Sequence, residues 1–522
     1  MGEPWILAID LGTGGPKIGA VSLRGEITAH AFYPVQTRFS DDGGAVQDPH
    51  EWWRGVQRGI GDVLAAGAVP RDLVGVGITG QWGSTVPIDA DGQPAGDCLL
   101  WSDTRGARFS AAAVGGPLQL FGYSPGNLVR WLQITGGAPS PHGGDPLGHS
   151  LHLRNREPEV YQRAQTFLEP LDYLGMRFTG RRAATPASMI LSWLTDNRRR
   201  APLRYVPELL RRSGREAAKL PELLPTGCVL GPITPNVADE LGVPAGIPVV
   251  AGIPDLHSAV IGSGAVAPFE GHLTISTSAW IACEVPFKRT DVLHQLASVP
   301  GLRPGAYLVA NNHETAGLCL QWLRDSVISP HDTLTEGPTP DYARLTRLAE
   351  SVPAGSGGVI FTPWLNGERS PIEDRTLRAA FVNLSMTTQR PHLVRAVLEG
   401  VAFNARWLLD AVERFVRRPL PTLRILGGGA SSDLWCRIHA DALGRRIERV
   451  DDPMYTNLRG AGLFAAISLG RLRLEEVPGL VRVRDTFEPD SAARTVYEPM
   501  YREYKHLYGK LHGVYAKLNA RR

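Results

Sequence analysis

The hydrophobic pattern of the chain begins with an apolar run, residues 5–9, that ends at one carboxylate, Asp10. Glycines and a proline follow, and a second β-rich run occupies residues 18–23. This pattern predicts a strand, a tight turn and a second strand. Residues 272–285 repeat the design about 265 residues further on. The repeat predicts a duplicated lobe, with two similar halves that close on a ligand between them.

Helical and strand patterns alternate along most of the remaining chain. Residues 49–64 read as a helix with Pro49 in its first turn, residues 73–79 as a buried strand, and residues 391–415 as a long amphipathic helix. Three β segments followed by alternating helix and strand favour an α/β fold, a mixed sheet with helices on its faces.

The C-terminal segment carries tyrosines and leucines at helical spacing, from Tyr501 to Leu518. This spacing predicts a helix that caps a lobe, and a partner-binding helix is the alternative. We therefore expect an N-terminal lobe over residues 1–250, a C-terminal lobe over residues 251–490 and a capping helix over residues 491–522.

Composition narrows the class of protein. A chain of 522 residues with 43% hydrophobic and 20% charged residues has ample core for two domains. A net charge of +3 gives no reason to expect nucleic acid or an anionic membrane as partner. The five cysteines are scattered without a C-x-x-C pair, and the first strand leaves no room for a signal peptide. These features, with no apolar run of about 18 residues, predict a cytoplasmic protein.

The first turn combines groups that suit a phosphate. It holds Asp10, Thr13, Lys17 and three glycines. Glycines let backbone N–H groups approach an anion closely, and a lysine adds a point charge. A carboxylate beside such donors suits phosphate if Mg²⁺ lies between them. The alternative is a hairpin in which Asp and Gly serve only the turn.

Two later turns offer complementary chemistry. Asp255 lies between a strand and a helix, where it is either a helix N-cap or a general base at the mouth of a cleft. Residues 427–431 form a glycine-rich turn before a helix, which suits a flat ring or a ribose. The chain has neither a P-loop nor the protein-kinase motif set, which excludes those two classes of phosphotransfer enzyme.

Taken together, these motifs resemble the FGGY carbohydrate kinases, with the xylulose-kinase-like branch the most similar. The resemblance covers residues 5–470 and keeps order and spacing. It rests on Asp10-Leu-Gly-Thr-x-x-x-Lys17, Trp101-x-Asp-x-Arg105, Asp172-Tyr173 with Thr179-Gly180, Gly252-x-x-Asp255, Trp364-Leu-Asn-Gly-Glu-Arg-Ser-Pro371 and Gly427-Gly-Gly-Ala-Ser431.

The resemblance implies a two-lobed ribonuclease-H-like fold of the actin/hexokinase/Hsp70 superfamily. It also implies ATP and Mg²⁺ in the cleft, a small-molecule sugar or polyol as phosphate acceptor, and leaves a homodimer open. The implied roles are Asp255 as catalytic base; Asp10 as the carboxylate at the metal; Gly12, Thr13, Lys17, Thr277 and Ser278 at the phosphates; Gly428 and Gly429 at adenosine; and Gln81, Trp82, Trp101, Asp103 and Arg105 in the sugar pocket.

Four positions depart from the family pattern. The second phosphate turn reads Ser276-Thr-Ser, the approach to the base contains Ile253-Pro, and the signature loop ends in Arg378-Ala. Xylulose kinases carry Met-His where this chain has Trp82-Gly83, so one polar partner is lost and an apolar face is gained. We therefore expect a ketose or polyol kinase that prefers a substrate other than D-xylulose. A non-catalytic or ATP-hydrolysing sugar sensor of the same superfamily is the alternative.

Overall fold

The computed structural model describes residues 2–120, 122–199, 201–330, 332 and 338–519. Its strands are β1 (Trp5–Gly12), β2 (Gly15–Ser22), β3 (Ile27–Phe32), β4 (Arg38–Phe39), β5 (Ala45–Gln47), β6 (Leu73–Gly80), β7 (Val86–Ile88), β8 (Cys98–Leu99), β9 (Thr166–Leu168), β10 (Ala183–Ala184), β11 (Glu222–Leu223), β12 (Val229–Pro232), β13 (Pro248–Val250), β14 (Ile253–Pro254), β15 (Gly271–Ile275), β16 (Ala279–Val285), β17 (Thr290–Asp291), β18 (Leu296–Pro300), β19 (Tyr307–Ala310), β20 (Ile360–Thr362), β21 (Ala380–Val382), β22 (Thr422–Leu426), β23 (Arg446–Val450) and β24 (Val483–Phe487).

Helices pack against the sheets. They are α1 (Pro49–Ala65), α2 (Ala107–Val114), α3 (Pro125–Ile134), α4 (Pro146–Arg156), α5 (Pro158–Arg163), α6 (Pro170–Thr179), α7 (Pro207–Ser213), α8 (Pro235–Leu241), α9 (Asp255–Ser263), α10 (Gly317–Leu323), α11 (Tyr342–Glu350), α12 (Arg390–Val416), α13 (Asp433–Leu443), α14 (Thr456–Ser468), α15 (Val477–Leu480) and α16 (Ser491–Asn519). No helix in the described part of the chain is long and apolar enough to span a bilayer.

Two large sheets share one topology. The first has the order β12-β13-β6-β1-β2-β3, and the second contains the run β24-β23-β22-β15-β16-β19. In each sheet an antiparallel hairpin forms the centre, β1–β2 or β15–β16. The next strand across the sheet, β6 or β22, pairs in parallel with the first strand of that hairpin. We call the parts of the molecule built on these sheets the first and second lobes. The internal repeat of the sequence therefore corresponds to two lobes of the same design.

The hairpin at the centre of each sheet is buried on both faces. Residues Trp5 to Leu11 of β1 and all seven residues of β16 are buried. Helices cover both faces of a mixed sheet of this kind, so its central strands read as continuous apolar runs instead of alternating ones. This burial explains why the sequence pattern showed both hairpins clearly.

Helices α9 and α14 pack together unusually closely. A Cβ atom added to Gly262 would lie 1.9 Å from the carbonyl oxygen of Thr456, and one added to Gly460 would lie 2.0 Å from the carbonyl oxygen of Ser258. The hydroxyl of Ser258 donates to the carbonyl of Asn457 at 2.6 Å. Only glycine allows such an approach between backbones. The contact fixes α9, and with it the position of Asp255 at the first residue of that helix.

Helix α16 lies against the second lobe through its tyrosines. The hydroxyls of Tyr497 and Tyr504 donate to Glu399 and Asn404 of α12, at 2.9 and 2.8 Å. Tyr501 is also buried, and its hydroxyl donates to Asp410. Because these rings fill the core of the second lobe, they are not available to an outside partner. The last three residues of the predicted capping segment, 520–522, lie outside the described residues.

Candidate functional site

Parallel strands bring three of the predicted site residues to one sheet edge. Asp10 of β1 stands opposite Thr79 of β6, and Thr79 in turn stands opposite Ile253 of β14. The chain continues past these strand ends to Gln81 and Asp255. Because neighbouring parallel strands end at the same edge, Asp10, Gln81 and Asp255 share one region of the cleft.

Asp255 begins α9 without acting as its side-chain cap. The N-cap residue is Pro254, and the Asp255 carboxylate accepts from the adjacent amide of Leu256 at 2.8 Å. Burial, and after it the negative charge of Asp10, together raise the pKa of Asp255 to about 7, against smaller opposing effects of the Leu256 amide and Lys17. A carboxyl group with a pKa near neutrality can both accept and release a proton at physiological pH.

Asp10 is paired with a cation of the neighbouring strand. Its carboxylate lies 3.1 Å from the amino group of Lys17, which stands opposite it in the β1–β2 register. Asp10 is almost fully buried, whereas the Lys17 side chain keeps 24% of its exposure. The described residues contain no group of three or more carboxylate, imidazole or thiol side chains able to hold a metal. One or two carboxylates suit Mg²⁺, because this ion keeps several waters and binds substrate phosphates.

The three glycines of the first turn differ in whether packing requires glycine. Gly15 has φ +126°, and a Cβ there would lie 2.1 Å from the carbonyl oxygen of Tyr33. At Gly12 and Gly14 a Cβ would meet nothing closer than 4.0 Å, and neither has a positive φ. Packing therefore requires Gly15 but leaves open space beside Gly12 and Gly14. This space fits the close approach of a phosphate to the backbone.

A hydrogen-bond chain joins the first turn to the predicted sugar pocket. The hydroxyl of Thr13 donates to the Gln81 side-chain oxygen at 3.1 Å and accepts from the indole N–H of Trp101 at 3.3 Å. The side chain of Gln47 holds the carbonyl of Thr13 at 2.7 Å. The predicted phosphate and sugar residues are thus part of one connected network.

Asp103 and Arg105 form a buried ion pair. The guanidinium of Arg105 lies 2.8 Å from the Asp103 carboxylate, which also accepts from the amide of Ala45 at 3.0 Å. Asp103 has no exposed surface, whereas the Arg105 side chain is 17% exposed. Asp103 therefore orients Arg105, and Arg105 is the member of the pair that reaches solvent.

Trp82 and Gly83 are packed by apolar neighbours. The Trp82 ring is half-buried, lies edge-on to His257 at 6.5 Å, and packs against the core around α9. Gly83 has φ +83°, and a Cβ there would lie 2.8 Å from Cδ1 of Leu191. Leu191 thus occupies the space next to position 83.

The second turn, Ser276 to Ser278, connects β15 to β16. Thr277 is exposed and Ser278 half-buried, while the backbone carbonyl of Thr277 accepts from the amides of Ala316 and Leu318. The Ser276 hydroxyl donates to the Ser278 carbonyl at 3.2 Å. The Ser276 side chain is therefore tied to its own turn, and the side chain of Thr277 faces outwards.

The third turn follows β22 and leads into α13. A Cβ at Gly427 would lie 2.4 Å from the carbonyl oxygen of Ile275, and one at Gly429 would lie 2.6 Å from the Ile275 side chain, but Gly428 has nothing within 4 Å. The Ser432 hydroxyl caps α13 by accepting from the amide of Trp435 at 3.1 Å. Packing therefore requires glycine at positions 427 and 429, whereas the space beside Gly428 is open.

One positioning residue was missed by reasoning from the sequence. Glu169 is buried, and its carboxylate accepts from the amides of Gly83 and Ser84 at 3.0 and 3.1 Å. Burial raises the pKa of Glu169 above its ordinary range, with a further contribution from Asp172. No motif or spacing indicates this contact, because it joins residues that are 85 or more positions apart.

With this geometry in hand, comparison with known proteins identifies the family. Models of the N-terminal and C-terminal domains of the FGGY family of carbohydrate kinases match residues 5–262 and 285–469. The chain belongs to the FGGY family of carbohydrate kinases. It is a carbohydrate kinase, which confirms the sequence-based prediction of its class.

Individual relatives agree on the family and differ in their substrates. The chain is 27% identical to a xylulose kinase of Staphylococcus epidermidis, with 96% of each chain covered. It is 24% identical to a gluconokinase of Bacillus subtilis, with 90% of this chain and 88% of that one covered. The structure of a gluconate kinase from Lactobacillus acidophilus matches 99% of this chain and all of that one, with a TM-score of 0.83 at 22% identity. This match, together with the FGGY family models, confirms the predicted two-lobed actin/hexokinase-like fold.

Proposed function

We propose that this FGGY kinase transfers the γ-phosphate of ATP to a hydroxyl group of a ketose or a related polyol, with Asp255 as general base. The observation that carries the proposal is the position of Asp255. It lies at the edge where β1, β6 and β14 end, beside Asp10, with a pKa of about 7. Phosphoryl transfer to an alcohol needs a carboxylate near the attacking hydroxyl and positive charge at the phosphates.

The remaining residues divide between the two substrates. In this proposal Asp10 holds Mg²⁺; Gly12, Thr13, Lys17, Thr277 and Ser278 face the phosphates; Gly428 and Gly429 receive adenosine; and Gln81, Trp82, Trp101, Asp103 and Arg105 line the sugar pocket. When bound, Mg²⁺ supplies positive charge that offsets the charge on the phosphate oxygens. The open faces at Gly12 and Gly428 support this division, because packing does not require glycine at either position.

The chemical step follows from the position of Asp255. Its ionised carboxylate accepts the proton of the attacking hydroxyl, whose oxygen then bonds to the γ-phosphorus while the bond to the bridging oxygen of ADP breaks. Lys17, paired with Asp10, keeps positive charge beside the first turn. The products are ADP and a sugar phosphate, and the proton remains on Asp255.

Other features of the molecule complete the proposal. We infer lobes over residues 1–250 and 251–490 with a capping segment over residues 491–522. In the structure, β14 at 253–254 pairs with β6 of the first lobe.

Scattered, unpaired cysteines and the modest net charge support a cytoplasmic enzyme that acts on a small molecule without nucleic acid. The homodimer remains open in this proposal.

A coupled assay of ADP release separates the kinase from its alternative, a non-catalytic or ATP-hydrolysing sensor. The assay compares turnover without sugar and with a panel of ketoses, polyols and sugar acids. The proposal predicts that turnover depends on one or a few members of the panel. Turnover that is independent of sugar, or absent with every sugar, would support the sensor.

A further inference from the structure

One arginine of the second lobe faces the predicted sugar pocket of the first. Arg369 lies in the loop between β20 and β21, and its guanidinium carbon is 6.0 Å from the centroid of the Trp101 ring. Trp101 follows β8 in the first lobe and donates to Thr13 of the first turn. The second lobe therefore places a cation over an aromatic ring that belongs to the hydrogen-bond chain of the site.

A buried carboxylate holds the near end of this arginine. Nε of Arg369 lies 2.8 Å from Glu314, and the guanidinium of Arg375 lies 3.0 Å from the same carboxylate oxygen. The Glu314 side chain is only 3% exposed. Burial alone would raise the pKa of Glu314, but the two arginines hold it below its ordinary value. Glu314 is thus an ionised anchor shared by Arg369 and Arg375.

The backbone beside Arg369 is fixed as well. The carboxylate of Glu368, which has no exposed surface, accepts from the amides of Arg369 and Glu314 at 2.9 and 3.0 Å and from the side chain of Asn404 at 2.6 Å. On the other side, the hydroxyl of Ser370 donates to the carbonyl of Gln295 at 3.0 Å. A side chain held at its backbone and at Nε is preorganised for binding, because little conformational freedom remains to be lost.

The far end of Arg369 is available to a ligand. Its side chain is 35% exposed, and its two terminal nitrogens form no hydrogen bond to any residue that the structure describes. The distance to Trp101 is at the outer limit of about 6 Å for a cation–π contact, so that contact contributes little to stability. The arrangement leaves a planar pair of N–H donors free near Trp101.

We propose that Arg369 is a substrate-binding residue contributed by the second lobe. Its terminal N–H groups donate hydrogen bonds to oxygen atoms of the carbohydrate that lies against Trp101. Hydroxyl, carbonyl and carboxylate oxygens all accept such bonds, and a guanidinium presents two parallel donors that a lysine lacks. The inference rests on the proposed function, since it takes the Trp101 region as the sugar pocket.

The test is direct binding of sugar, with Arg375 as the matched control. Arg375 shares the Glu314 anchor but does not lie over Trp101. Calorimetric titration of wild type, Arg369→Met, Arg369→Lys and Arg375→Met with the best sugar of the panel gives a Kd for each. Arg369→Met should weaken sugar binding about tenfold or more, the loss expected for a hydrogen bond to a charged group. The sugar Kd of Arg369→Lys should lie between those of the wild type and Arg369→Met. The Kd for ATP should change less than about threefold in all variants.

Three outcomes would overturn the inference in distinguishable ways. An unchanged sugar Kd in Arg369→Met would show that the residue does not touch the carbohydrate. Equal losses in Arg369→Met and Arg375→Met would assign both effects to the Glu314 anchor and therefore to loop structure. A wild-type protein that binds no carbohydrate would overturn the proposed function as well.

Discussion

At the scale of single residues, Asp255 combines burial with the neighbouring charge of Asp10, and these two effects together set its pKa near neutrality. The sequence could suggest this residue only as one of two alternatives, a helix cap or a base. The proposal of a base is supported by two observations: Pro254 is the N-cap, and the Asp255 side chain accepts from the adjacent amide of Leu256.

Removal of the Asp255 charge tests its role in proton transfer. Asp255→Asn keeps the shape of the side chain but cannot accept the proton, so kcat should fall about 10²-fold or more. The Kd for ATP should remain close to that of the wild type, because the base contacts the sugar. Near wild-type turnover in a folded variant would reduce Asp255 to a structural residue.

The pH dependence follows from the same pKa. A general base works in its ionised form, and the pKa of Asp255 is raised to about 7. We expect kcat/KM for the sugar to be highest above this pH and to fall as the pH drops through about 7. The pH profile of kcat/KM for the sugar, measured at saturating ATP, shows this fall in activity. A fall that appears only near pH 4, the ordinary range of a carboxylate, would contradict the assignment.

We also propose that single residues determine substrate specificity. Leu191 fills the space beside Gly83, which has no polar side chain, and Trp82 adds an apolar ring. A site without a hydrogen-bonding group there discriminates poorly by the configuration of the matching hydroxyl. We therefore expect a ketose or polyol other than D-xylulose to have the highest kcat/KM.

The corresponding variant is Trp82→Ala. It should raise the sugar KM or lower kcat while the KM for ATP stays within about threefold, because the proposal places the ring at the sugar site. Kinetics with D-xylulose as the clear favourite, together with a harmless Trp82→Ala substitution in a folded protein, would refute this account of specificity and leave the family assignment intact.

At the scale of elements, the sequence predicted the two hairpins and the glycine-rich turns well. Continuous apolar strands such as β1 and small residues in turns leave a clear pattern. Contacts between distant segments leave none: Glu169 reaches the Gly83 and Ser84 amides, and Arg369 reaches Trp101, only after the lobes have folded. The sequence could therefore locate the turns but not the side chains that hold them in place.

The lobes are joined at the C-terminal end of α3. The amino group of Lys288, in the second lobe, donates to the carbonyls of Leu132, Gln133 and Ile134 at 3.4, 2.8 and 3.1 Å. These are the last carbonyls of the helix and carry partial negative charge. Those of Leu132 and Ile134 also accept from the amides of Gly136 and Asn197. Lys288 thus satisfies helix-end acceptors of one lobe from the other.

Replacement of this lysine tests the junction. Lys288→Met removes the donor to the Gln133 carbonyl, whereas the Leu132 and Ile134 carbonyls keep the amides of Gly136 and Asn197, so it should destabilise the protein by about 1–2 kcal/mol. Lys288→Arg, which keeps charge and donors, is the control and should stay closer to the wild type. Urea denaturation of the three proteins measures the difference, and equal midpoints would show that the contact adds nothing to stability.

At the scale of the whole molecule, two lobes of one topology place complementary groups around a cleft. The first lobe supplies Asp10 and the Thr13–Gln81–Trp101 chain, and the second supplies the turns at Thr277 and Gly428. Helix α9, which carries Asp255, packs on α14 through glycine contacts. Such an arrangement suits a reaction between two bound substrates, because binding both of them side by side brings the reacting groups together.

The central claim is that phosphate passes from ATP to a carbohydrate. The most direct measurement is the ratio of sugar phosphate to ADP, determined by mass spectrometry with the best substrate of the panel. The account predicts one sugar phosphate for each ADP in the wild type, and loss of both products together in Asp255→Asn. ADP formed without any phosphorylated sugar would contradict it.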